Sequence, residues 1–159
     1  MSDAAVRRLR HHGWVAPGEM PAPGFNYRLP DVLCALGIPQ LARLEELLVA
    51  RERVAGWYTE RLEQVLLTPS AAAGDRHGWQ AYVVQLDRRD EALEGLREER
   101  IEAQIGTWAL HRLEAYGSQG PFPGADRAFE RALALPFAAT ATEDEIDRVC
   151  RILTRYVSE

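Results

Sequence analysis

The sequence predicts an α+β domain: a small antiparallel sheet of about three strands, packed by a long helix and a C-terminal helix. Three observations predict it. From Gln40 to about Leu66, the residues Leu41, Leu44, Leu48, Ala55, Tyr58, Leu62 and Val65 recur at threes, fours and one seven, which is the stripe of an amphipathic helix. Residues 78–86, GWQAYVVQL, are dense in Trp, Tyr and Val and favour a strand. Thr142-Glu143-Asp144-Glu145 reads as a capping box opening a last helix, with Ile146, Val149, Leu153, Tyr156 and Val157 on one face.

The elements follow in order. Residues 3–12 place Ala4, Ala5, Val6 and Leu9 among Arg7, Arg8 and Arg10, a short helix with Gly13 as its stop. Residues 14–25 hold three prolines and two glycines and form a loop. Trp14 and Met20 have no regular element there to bury them. A helix starts near Asp31, whose carboxylate suits free backbone N–H groups, with Pro30 in its first turn and Val32, Leu33, Ala35 and Leu36 following. Gly56 lies inside the long helix that comes next and costs about 1 kcal/mol against Ala. Residues 69–75 are a small-residue loop. In the strand at 78–86 both alternation sets are apolar, so coverage on both faces is expected.

Asp87 is placed to cap the next helix, which turns Ala92, Leu93 and Leu96 inward. Residues 102–108 form a second strand candidate, 111–116 a short turn or helix, and 117–124 a Gly/Pro loop. Residues 126–133 read as helical, with Ala128, Phe129, Ala132 and Leu133 inward. A short third strand runs over 133–137, limited by Pro136 to an edge or an end.

The densest polar and aromatic cluster is Gly24-Phe25-Asn26-Tyr27-Arg28, ahead of the Asp31 helix. Asn26, Tyr27 and Arg28 are thus held on a loop whose exit a helix fixes, where ligand contacts tend to sit. The structural alternative is a solvated Arg28, a Tyr27 that plugs a core, and an Asn26 that caps the turn beside Gly24.

Composition bounds the function. The chain has 159 residues, enough for one domain with a core. A net charge of −5 offers no basic surface for nucleic acid as a whole. No apolar run approaches a membrane span, and Met1-Ser2-Asp3 begins no signal peptide, so a cytoplasmic protein is expected. Cys34 and Cys150 read as reduced, small core residues. His11, His12, His77 and His111 show no metal-ligand spacing, so no metal site is expected.

The stretch GFNYRLPDVLCALGIPQLARL resembles a segment of the DegT/DnrJ/StrS sugar aminotransferases, which depend on pyridoxal phosphate. Gly24, Asn26, Tyr27, Arg28, Asp31, Ala35, Gly37, Gln40, Leu41, Arg43 and Leu44 fall in step, and Cys34 stands where a small residue is usual. His77, Trp79, Tyr82, Val83, Val84 and Leu86 match a later passage, and 105–111 resembles a segment that often ends Pro-Leu-His, with Ala109 in place of Pro. The resemblance covers nearly the whole chain but only the family's C-terminal part. It implies an arm over 1–37, the end of a large-domain helix with the Asn-Tyr-Arg loop, followed by a small domain over 38–159.

The resemblance also implies site residues. Asn26 reaches the cofactor phosphate of a neighbouring subunit. Tyr27, Arg28, Trp108 and His111 contact substrate: Arg28 a phosphate or carboxylate, Trp108 a sugar or base, His111 a phosphate or hydroxyl. For the last two, a buried Trp and a helix-start His are the structural alternative.

One absence decides the chemistry. All 19 basic residues other than histidine are arginine; the chain has no lysine. Pyridoxal phosphate is held through a lysine amine, and a permanently protonated guanidinium cannot replace it. No catalytic residue is therefore assigned within this chain. Two classes of function stand: an aminotransferase C-terminal domain acting on a nucleotide-linked keto-sugar only with a cofactor-bearing large domain or full-length subunit, or a non-catalytic binding or structural remnant, including a fragment of a split reading frame. Homodimerisation is a further expectation. Trp14, Met20, Phe25 and Tyr27 are expected to stay mobile with their arm until a partner orders it.

Overall fold

The computed structural model describes residues 2–117 and 120–157. The chain forms two compact units, 1–44 and 45–159.

In the first unit, α1 (Asp3–Leu9) is capped by Ser2, whose hydroxyl accepts from the Ala5 N–H, and Arg10 closes it. His12 and Gly13 then turn through φ of 57° and 84°. Residue 12 shares with Gly13 the left-handed turn expected of the glycine alone. The chain returns antiparallel to itself: Phe25 N–H donates to Leu9 O at 2.8 Å, and His12 N–H to Phe25 O at 3.1 Å. Here two glycines are needed. A Cβ on Gly24 would stand 2.3 Å from Gly13 N, and one on Gly13 would stand 1.8 Å from Ala22 O. The pairing ties the Asn-Tyr-Arg loop to the end of α1.

Helix α2 (Asp31–Ala42) begins at Asp31 as expected and keeps Pro39 inside it. None of its residues is buried, and Val32, Leu33, Leu36, Ile38 and Leu41 are all exposed. Cys34, on this helix, is exposed too, against the expectation of a core cysteine.

The helix expected from Gln40 to Leu66 is divided. Arg43 leaves helical geometry at φ −102° and ψ 7°, and α3 runs over Leu44–Leu62. No glycine or proline stands at 43, so the sequence carries no sign of this break. In the second unit α3 turns Val54, Ala55, Tyr58 and Leu62 into the core.

The sheet has three antiparallel strands: β1 (Tyr82–Gln85), β2 (Gln104–Ile105) and β3 (Ala132–Leu135), in the order β1-β3-β2. Tyr82 pairs with Leu135 and Val84 with Leu133. All four are buried on one face, against α3, α4 (Arg89–Glu98) and α6 (Glu143–Leu153). Val83 and Gln85, on the other face, are half-buried, so coverage is complete on one side only. The strands are shorter than expected at 78–86 and 102–108. Trp79 interrupts the first with φ of 47°. β3 is the central strand, not an edge, and Pro136 costs nothing because it lies one residue past the end.

Arg88 occupies the cap position of α4 with no side-chain capping bond, its guanidinium pairing with Glu91; Asp87, expected there, pairs with Arg131 at 3.1 Å. The helix expected at 126–133 is α5 (Pro123–Arg131), shifted because Ala132 and Leu133 are taken by β3. The capping box at α6 is present in both directions: Thr142 accepts from Glu145 N–H, and Glu145 accepts from Thr142 N–H at 2.8 Å. Arg61 fastens α3 to α6 through Glu143 at 2.8 Å and through Asp147. Hydrogen bonding to Glu143 is the main reason its pKa lies above the ordinary arginine value. The Tyr58 hydroxyl, buried beneath, donates to Pro136 O at 2.7 Å.

Candidate functional site

The residues singled out in the sequence fall into two groups, one in each unit.

In the first unit, Arg28 Nε donates to Asn26 Oδ1 at 2.7 Å. The amide oxygen is therefore occupied by a neighbouring cation, which leaves the Nδ2 hydrogens as the side chain's outward donors. Tyr27 is 73% exposed and stacks on Phe25 with centroids 4.9 Å apart, so it plugs no core. The pair Phe25–Tyr27 and the pair Asn26–Arg28 alternate along an extended segment, as side chains of a strand-like backbone do.

In the second unit, Trp108 lies just ahead of the short 3₁₀ turn Leu110–Arg112, and His111 lies within it. Trp108 is 60% exposed, which removes the buried-Trp alternative. Its ring lies 5.7 Å from Phe129. His111 is largely buried, edge-on to Phe122, with Nε2 2.9 Å from Asp126 Oδ1. The same oxygen accepts from Arg112 Nε at 2.5 Å, and Arg112 Nη2 reaches Glu130 at 2.7 Å. Burial pushes the Asp126 carboxyl up, but bonds from His111 and Arg112 outweigh it and hold the group below its ordinary value. Asp126 thereby engages one imidazole nitrogen, Nε2, and holds the ring in place.

Sequence reasoning missed Asp126, Arg112 and the buried Arg89, whose guanidinium lies over Phe129 and donates to Ala132 O. The available signal was the spacing of Asp126, Phe129 and Glu130 on α5, three and four residues apart and so on one helix face.

Pyridoxal phosphate fits these residues only in part. Amide and guanidinium donors suit its phosphate, but no side-chain amine is present to hold its aldehyde carbon.

Comparison with known proteins accords with this inventory. The chain is 32% identical over 164 residues to the spore coat polysaccharide biosynthesis protein SpsC of Bacillus subtilis, covering 94% of this chain and 42% of that protein. It is 34% identical over 167 residues to the GDP-perosamine synthase of Caulobacter vibrioides, covering 97% and 45%. The crystal structure of a DegT DnrJ EryC1 StrS aminotransferase from Brucella abortus superposes with a TM-score of 0.83 at 27% identity, over 98% of this chain and 43% of that one. The chain thus spans less than half the length of these relatives. The profile of the DegT/DnrJ/EryC1/StrS aminotransferase family matches residues 2–154, and the chain belongs to that family.

Proposed function

We propose that these residues form the C-terminal half of a sugar aminotransferase that transfers an amino group to a nucleotide-linked keto-sugar, working only with a lysine-bearing large domain. The observation that carries this reading is the Asn26–Arg28 pair. With its oxygen filled by Arg28, the Asn26 amide is a fixed N–H donor, suited to a phosphate oxygen of the cofactor in a neighbouring subunit. When bound, pyridoxal phosphate supplies the electron sink for amino transfer. In this reading the chain's own residues bind and orient: Arg28 and Tyr27 at the substrate's anionic end, Trp108 against a sugar or base, His111 toward a hydroxyl or phosphate.

Helix α2 supports the need for a partner. It is apolar around its whole circumference and buries no residue, whereas such helices are normally enclosed. The name of the Caulobacter relative supports a nucleotide-linked sugar as substrate. A second reading, a non-catalytic binding remnant, has the lack of lysine in its favour.

The test is complementation. The N-terminal, lysine-bearing part of the Caulobacter synthase is produced as a separate chain, mixed with this protein and the cofactor, and assayed for amino transfer to a GDP-linked keto-sugar. Turnover in the mixture and in neither part alone is expected. No turnover in a mixture that does associate would favour the binding remnant.

A further inference from the structure

Arg89 is the one charged residue buried among the described residues, at 4% exposure. Its Nε donates to Asp90 Oδ1 at 2.6 Å, but the Asp90 side chain is 85% exposed, so water screens that pair. Nη1 donates to Ala132 O at 3.2 Å, and the guanidinium lies 5.6 Å from the centroid of the Phe129 ring. Burying a cation is costly, and an apolar side chain of similar length would fill the space at less cost. Stability alone does not account for an arginine here.

Both of its inner partners belong to the segments that present Trp108 and His111. Ala132 O also accepts from Gly106 N–H at 2.9 Å, two residues ahead of Trp108. The chain is pressed close there: a Cβ on Gly106 would stand 2.6 Å from Val83 Cγ1 and 2.9 Å from Ala132 Cβ. The same residue marks where α5 ends and β3 begins. Helix α5 carries Asp126, Phe129 and Glu130 yet buries no residue, so apolar burial alone holds it weakly. Its hold is at Phe129, whose ring meets Arg89, Arg112 at 5.4 Å and Trp108 at 5.7 Å. Arg112 in turn bonds Asp126, which holds His111. One buried cation thus sits at the corner from which the exposed indole and the imidazole are both set out.

We infer that Arg89 is a positioning residue: through the Phe129 ring and the Ala132 carbonyl it sets the orientation of the Trp108 indole, and it touches no substrate itself. A guanidinium suits this task because its face attracts a ring while its edge donates to a carbonyl. An apolar side chain can do neither, and a lysine ammonium does each less well. That Trp108 meets a sugar or base rests on the sugar-aminotransferase reading; the hold of Arg89 on the ring does not.

The whole chain is labelled with 5-fluorotryptophan, which gives a fluorine NMR signal for each of Trp14, Trp57, Trp79 and Trp108, and Trp108→Phe assigns the last. Arg89→Met, which keeps length and removes the charge and the donors, should move the Trp108 signal toward that of the free amino acid and leave Trp57 and Trp79 in place. Arg89→Lys should fall between Arg89→Met and the parent. Phe129→Leu, which removes the ring, should move Trp108 as well and make it indifferent to Arg89→Lys in the double variant. Circular dichroism checks folding; where Arg89→Met fails to fold, Arg89→Lys and Phe129→Leu give the same readout. In the complemented enzyme Arg89→Met should raise KM for the GDP-linked keto-sugar about fivefold with kcat within about twofold. A Trp108 signal unmoved in a folded Arg89→Met, Trp57 and Trp79 moving as far as Trp108, or Arg89→Lys indistinguishable from Arg89→Met would overturn the inference. A moved Trp108 signal with KM unchanged would leave the hold of Arg89 standing and count against Trp108 as a substrate contact, and so against the enzymatic reading alone.

Discussion

Arg28 Nε and Asn26 Oδ1 lie 2.7 Å apart, and this bond decides which half of the amide is available. An Asn with its oxygen engaged is a donor, and a donor is what a phosphate oxygen needs. Removing it by Asn26→Ala in the complemented enzyme should weaken cofactor retention by roughly tenfold, the size of one hydrogen bond to a charged group. Equilibrium dialysis of the cofactor measures it. Unaltered affinity would contradict the phosphate role. Arg28→Ala should produce a smaller loss, because it frees the amide to rotate without deleting the donor.

His111→Ala should raise KM for the nucleotide-linked sugar about tenfold with a smaller change in kcat. Asp126→Asn should do part of the same, since it releases the imidazole nitrogen held at 2.9 Å. Steady-state kinetics on the complemented enzyme reads both. A fall in folding stability with KM unchanged would assign the pair a structural role.

The capping box supplies a stability and pH prediction. Thr142→Ala should destabilise the chain by about 1 kcal/mol in urea unfolding. Glu145 lies below its ordinary 4.5, chiefly through the Thr142 backbone N–H and then its hydroxyl, against a smaller effect of burial. A depressed carboxyl contributes stability above its unfolded value, and that stability is lost as pH falls through the folded value. The Thr142 hydroxyl's bond to the Glu145 carboxylate is lost in Thr142→Ala while the backbone N–H bond remains, so the hydroxyl's share of the gap between the two proteins should be full at pH 7 and shrink below about pH 4.5. A gap that stays constant down to pH 3 would contradict this.

Core substitutions should separate from surface ones. Leu62→Ala, fully buried on α3, should cost about 2–5 kcal/mol. Tyr58→Phe should cost about 1 kcal/mol by stranding Pro136 O, its acceptor at 2.7 Å. Denaturant midpoints measure both; a cost below 0.5 kcal/mol for Leu62→Ala would mean that α3 does not pack as described.

The first unit should exchange faster than the second. Neither α1 nor α2 buries a residue, whereas β1 and α6 carry the core. Hydrogen exchange should be fast over 13–30 and slow over 82–85 and 146–153. Strong protection throughout 13–30 at low concentration would contradict the need for a partner.

Much of this fold is legible because its signals are local. Thr142 and Glu145 are three apart and can only be a capping box once a helix follows. The stripe of Ala55, Tyr58 and Leu62 reads directly as the buried face of α3. What was not legible depends on partners far along the chain. Arg43 ends α2 without a breaker residue. Cys34 looks like a core residue by type, but α2 has no core to enter within these residues. Asp87 lost the cap to Arg88 because Arg131 draws it away. The Asp126–His111 contact joins residues fifteen apart across a loop, and no periodicity announces it. Asn26 and Arg28 were visible as a cluster; the direction of the bond between them was not.

The central claim is that this chain completes an aminotransferase without itself holding the cofactor covalently. Borohydride reduction of the complemented mixture with pyridoxal phosphate, followed by peptide mass spectrometry, tests it most directly. The account predicts a pyridoxyl group on the lysine of the large domain and none on any side chain of this protein, the N-terminal amine being set aside. A pyridoxyl group on a side chain of this protein, or none on the large domain in an associated mixture, would contradict it.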